Sequence, residues 1–205
     1  MNVAATSVVR NGNTLTLNLP MTFQPAYAGA KNIYLYAADA SGSTSGWQQL
    51  GTWTVPAGTG IPSAVSVTPS SGSLASQTFA LQYSDTAGAA SLQTVWAYFN
   101  STLANPATNT CLLYYNAAGN LIELLQNSGT TWLTATPGAA TTLQNSQCSL
   151  NVAATSVVRN GNTLTLNLPM TFLPAYAGAK NIYLYAADVS GSSSGWQQLG
   201  TWTVP

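Results

Sequence analysis

The chain has 205 residues, 46% of them apolar and 10% aromatic, with four basic side chains, four acidic ones and no histidine. About a quarter of the residues in an average soluble domain are charged, so Ser, Thr, Asn, Gln, Gly and Ala must clothe this surface; Arg10, Lys31, Arg159 and Lys180 are too few and too scattered to neutralise a row of nucleic-acid phosphates. The apolar content suffices for a packed core and excludes disorder, and no window approaches the 18 consecutive apolar residues of a membrane-spanning helix.

The elements read as strands almost throughout. From Ala5 onward the chain carries four strands with a hairpin signal in the tetrad RNGN at 10–13, since Asn-Gly suits a type I′ turn. Ala57 to Ile61 reads as a linker. Alternation of apolar and polar residues then predicts strands at 64–68, 77–83, 92–99, 111–115 and 121–125, with turn-formers between them. NLIELLQN is the one stretch that could pass for a helical turn, and the AAGN and NSGT around it look like strand-bounding turns. After Cys148 come strands at 154–159, 163–168, 181–188 and 196–204, with a second RNGN hairpin at 159–162. The expected fold is all-β, an antiparallel sandwich.

Cys111 and Cys148 are the two cysteines. Each lies in a strand-like run, TCLLYYN and SQCSLN. An even count in a chain of secreted character favours a disulfide, which would close a loop of about 38 residues; two buried free thiols are the alternative.

Asn2–Pro56 aligns without a gap on Asn151–Pro205 at an offset of 149, and 52 of the 55 positions are identical. The exceptions are Gln24 against Leu173, Ala40 against Val189, and Thr44 against Ser193. The expected organisation is one complete repeat, 62–205, preceded by the linker 57–61 and by 1–56 as the C-terminal half of a preceding repeat. Four strands without their partner sheet leave edges and an apolar face to be covered, which points to strand or domain exchange between chains, giving a dimer or a fibre-like assembly, or to the half pairing with itself.

The stretch TFLPAYAGAKNIYLYAADVSGSSSGWQQLGTWTV resembles the last two strands of bacterial extracellular immunoglobulin-like tandem-repeat domains: an aromatic and a Gly precede a Tyr-rich strand, an Asp-x-x-Gly turn follows, and the last strand ends in Thr-x-Thr-Val. SVTPSSGSLASQTFALQYSDTAGAASLQTVWAYFN is similar to their opening strands. The resemblance covers Pro62 to Pro205 and implies an immunoglobulin-like sandwich with scaffolding or adhesive work outside the cell, and no catalytic residues. Residues 100–150 exceed the usual domain and should add a hairpin.

The residues themselves offer little chemistry. The cysteines lack CxxC spacing, no Gly-rich phosphate loop follows a strand, and the four carboxylates are dispersed, so neither an enzyme nor a metal site nor a cofactor is expected. Asp85 and Asp188 should accept backbone hydrogen bonds within their own turns, and Glu123 should take an outward position on an alternating strand. The candidate ligand-stacking aromatics are Trp96 and Tyr98 on one strand and Tyr183 and Tyr185 on another, which makes a carbohydrate-binding module the alternative function and polysaccharide the alternative partner. The first expectation is a secreted, non-enzymatic structural module that binds other copies of itself, with its export signal outside this segment.

Overall fold

The structure is a computed structural model. It describes residues 6–23, 27–56, 58–103 and 107–205; Gln24, Ala57 and the first residues of the repeat, up to Ala5, lie outside them. The chain divides into two units, Met1–Ala57 and Gly58–Pro205. It is all-β, and no helix among the described residues is long and apolar enough to cross a membrane.

Among its described residues the first unit holds two hairpins. One joins β1 (Ser7–Asn11) to β2 (Thr14–Asn18), the other β3 (Gly29–Leu35) to β4 (Gln48–Val55). The RNGN turn is not the expected type I′. Its central residues are Gly12 and Asn13, and only the glycine has positive φ, at 55°; Gly161 repeats this at 56°. Positive φ at the first central position alone is the pattern of a type II′ turn, which needs Gly there.

Among its described residues the second unit has thirteen strands. They are β5 (Pro62–Thr68), β6 (Ser71–Ser73), β7 (Ser76–Asp85), β8 (Leu92–Asn100), β9 (Cys111–Asn116), β10 (Leu121–Leu125), β11 (Trp132–Ala135), β12 (Thr142–Gln144), β13 (Cys148–Asn151), β14 (Ser156–Asn160), β15 (Thr163–Phe172), β16 (Gly178–Asp188) and β17 (Gln197–Val204). One sheet runs β11-β10-β9-β8-β16-β17-β6, the other β12-β13-β15-β7-β5 with β14 also on β15. Every pairing is antiparallel except β17 with β6. The expected extra hairpin is β9–β10, and β11 extends it.

β15 shows how the sequence makes a buried strand. Leu164, Leu166, Leu168, Met170 and Phe172 point into the core, and the residues between them are half-buried. The strand was expected to stop at Leu168 but continues through Pro169. Phe172 N–H donates to the Ala75 carbonyl beside β7, and Leu173 N–H to the Gln147 carbonyl beside β13. Odd-numbered residues therefore turn their N–H positions toward the β13–β14 edge. Pro169 falls where that edge passes from β14, which pairs up to Asn167, to β13, which pairs from Met170, so the absent donor costs no ladder bond.

The two sheets share one core. Phe79 of β7 lies 5.0 Å from Phe99 of β8 and 5.0 Å, edge-on, from Trp202 of β17, and Phe172 closes the group at 5.3 Å from Phe99. Burying each such side chain contributes about 1.5–3 kcal/mol. Cys111 of β9 and Cys148 of β13 form a disulfide, fully buried, that ties one sheet to the other. Beside it the buried Asn145 amide donates to the carbonyls of Thr110 and Leu125 and accepts from the N–H groups of Gln147 and Cys148.

Candidate functional site

Three places could carry function: the buried carboxylates, the aromatic face of the seven-stranded sheet, and the open face of the first unit.

Asp85 and Asp188 are both fully buried. As expected, their Oδ1 atoms serve their own turns. Asp85 Oδ1 accepts from Ala87 N–H, and Asp188 Oδ1 accepts from Ser190 N–H, the Ser190 hydroxyl and Ser192 N–H. The two Oδ2 atoms have no hydrogen-bond partner. Gly60 packs so closely that a Cβ there would lie 1.9 Å from Asp85 Oδ1, and Ile61 N–H donates to the Thr86 hydroxyl, so this part of the expected linker is held to the second unit. No group of three or more potential metal ligands occurs among the described residues. The exposed Asp39 makes the same turn as Asp188, and hydrogen bonds from Ser41 and Ser43 hold its carboxyl below the ordinary range.

Burial, and secondarily the charge of Asp188, raises the Asp85 pKa above its ordinary 3.8. A raised folded-state pKa stabilises the fold below about pH 4, and that contribution is lost as pH rises through the raised value. Above that value the fold holds a buried charge with an unpartnered oxygen. Asp85→Asn keeps the acceptor for Ala87 and removes the charge. Its stability relative to the parent is expected to rise by about 1 kcal/mol between pH 4 and pH 7, as the parent loses the contribution of its raised carboxyl. Calorimetry at the two pH values checks this; a relative stability that falls or stays level as pH rises contradicts it.

The four aromatics singled out from the sequence come together on the outer face of the seven-stranded sheet. Tyr183 pairs with Tyr98 and Tyr185 with Trp96 across β16 and β8, with ring centroids 6.3 and 6.5 Å apart. Tyr98 and Tyr183 are buried, and Trp96 and Tyr185 half-buried. Three more rings complete the group, and alternation within single strands could not have found them because they arrive from other strands and a loop. Tyr114 of β9 stacks on Trp96 at 4.3 Å, Trp132 of β11 sets its edge against both, and Trp196 lies 5.4 Å from Tyr185.

Glu123 corrects the expectation of an exposed acid. It does sit on the outer face of β10, opposite Tyr114, but the aromatic layer buries it. Burial first, then the hydrogen bond and charge of Glu123, push the Tyr114 phenol up to about 12.

The third place is defined by the repeat itself. In the second copy Leu164, Ile182 and Trp202 are 0%, 0% and 3% exposed; their twins Leu15, Ile33 and Trp53 are 57%, 42% and 56% exposed. Leu17, Met21 and Leu35 follow the same contrast. The open face is thus made of side chains whose sequence is fitted to a core. Compared with known proteins, the chain matches no family model and no curated sequence.

Proposed function

We propose that this chain is a non-enzymatic, extracellular structural or adhesive module of the immunoglobulin-like repeat type, whose residues 1–56 act as an additional second half that draws chains together. The observation that carries the reading is the contrast between two nearly identical sequences, one buried and one open. Large apolar side chains left exposed on both hairpins mark an interaction surface.

The strand order supports the immunoglobulin-like part. In the variable type one sheet runs A-B-E-D and the other contains G, F, C, C′ and C″. Here β5-β7-β15-β13 and β17-β16-β8-β9-β10 have the same succession of neighbours. Two features depart from antibody domains: the disulfide joins β9 to β13, and Trp96 on β8 turns outward. The disulfide and the near absence of charge support an oxidising, extracellular setting. The aromatic face supports a carbohydrate-binding reading less far, because sugar stacking needs an open ring face, and Trp96 and Tyr114 cover one another.

Size-exclusion chromatography with light scattering tests the association. The mass is expected to rise above the 21.2 kDa of one chain with increasing concentration. A concentration-independent single chain overturns the reading.

A further inference from the structure

We infer that the open face of residues 6–56 is the seat of one kind of partner: a polypeptide with the chemistry of residues 58–150, a first half not already covered by a second half of its own. This names the partner of the surface proposed above and rests on that reading.

The second copy displays the complement residue by residue. Along one edge of β15, Leu164, Leu166 and Leu168 pair with Tyr83, Leu81 and Phe79 of β7. Beside β16, Ile182 and Leu184 pair with Phe99 and Ala97 of β8. Trp202 Nε1 donates to the Leu74 carbonyl at 2.8 Å, and its ring lies where a Cβ on Gly72 would approach to 2.4 Å, so that position of the partner must be glycine. The Tyr176 hydroxyl bonds the Phe99 carbonyl and the Asn100 side chain. Every one of these groups belongs to residues 58–150. At an offset of 149, Leu15, Leu17, Leu19, Ile33, Trp53 and Tyr27 present the same side chains, and all are exposed. The three positions at which the copies differ do not alter the fit: in the second copy Leu173 is half-buried, and Val189 and Ser193 are exposed.

Mass balance selects among occupants. In another copy of this chain residues 151–205 already cover 58–150. If 6–56 of a neighbour replaced them, one second half would be covered and an equal one uncovered, so exchange between identical chains removes no apolar surface from water. A free first half does remove it, and in its absence the open faces of two chains have only each other to cover them.

The test uses the full chain and an extended chain in which a copy of residues 58–150 precedes Asn2, so that the Leu150–Asn151 junction is reproduced. In both, Thr22 is changed to Cys; in the added copy Ser76 is changed to Cys. The hydroxyls of Thr171 and Ser76, their counterparts, are 2.9 Å apart. The expected result is a T22C–S76C disulfide in nearly all extended chains, with Trp53 fluorescence protected from acrylamide and the extended chain monomeric. No crosslink with Trp53 still quenched overturns the seat, and so does an extended chain that remains dimeric through residues 6–56, which would assign the face to the same half of a second copy. If the unextended chain never associates and the extended chain closes, the seat stands and the association reading falls. If the unextended chain associates and the extended chain stays open, the reverse holds.

Discussion

Trp202→Ala lowers the unfolding free energy of the second unit by about 3 to 5 kcal/mol, and Trp53→Ala leaves it within about 0.5 kcal/mol of the parent. The two tryptophans occupy the same place in QQLGTWTV. Trp202 packs edge-on against Phe79, lies over Gly72 and donates its indole N–H to the Leu74 carbonyl. Removing it leaves a cavity between the sheets and an unpaired carbonyl, which adds to the lost transfer energy. Trp53 is more than half exposed. Urea titration of the two variants, followed by circular dichroism, measures the difference. Equal losses would mean that the first copy is packed as the second is, and would remove the basis for an open face.

Replacing Cys111 and Cys148 together by Ala is expected to cost about 3 to 4 kcal/mol, from the loop entropy returned to the unfolded chain. For a unit of this size that corresponds to a fall in midpoint of about 10 °C. The bridge spans 37 positions and crosses from β9 to β13, so it holds together the part of the molecule that occurs only once. Both sulfurs are fully buried, and a reductant acts on them only as the unit opens. Melting the double variant beside the parent, with and without reductant, checks this. An unchanged midpoint shows that Asn145 and the core hold the sheets without the bridge.

Much of the fold was legible. Alternation located β7, β8, β9 and β10 closely, because one face of each strand meets the core and the other does not. β6, β11 and β12 were missed: at three or four residues they are too short for a period to register. Pro169 hid the second half of β15, since a proline argues against a central strand until the change of partner along its edge is known. The candidate site was legible in part. Trp96, Tyr98, Tyr183 and Tyr185 could be paired by alternation on each strand. That β8 lies beside β16, and that Tyr114, Trp132 and Trp196 join them, depends on which strands become neighbours. Glu123 shows the same limit: its side of the strand was readable, but what covers that side was not.

The repeat separates the two kinds of information. By itself the sequence determined the all-β class, the hairpins of RNGN and the Asp-centred turns, for both copies alike, because these depend on alternation, glycine and side-chain hydrogen bonds within a few residues. Asp39 and Asp188 each draw the same serine contacts whether exposed or buried. Only the tertiary structure decided how far the strands run and which side chains are inside. TLTLNLPMTF is a ten-residue strand as β15, flanked by β7, β13 and β14, while its twin ends as β2 at Asn18, paired among the described residues with β1 alone. A strand's length and burial follow from the partners that satisfy its backbone and cover its face, and the two that β2 lacks are β7 and β13, residues 76–85 and 148–151.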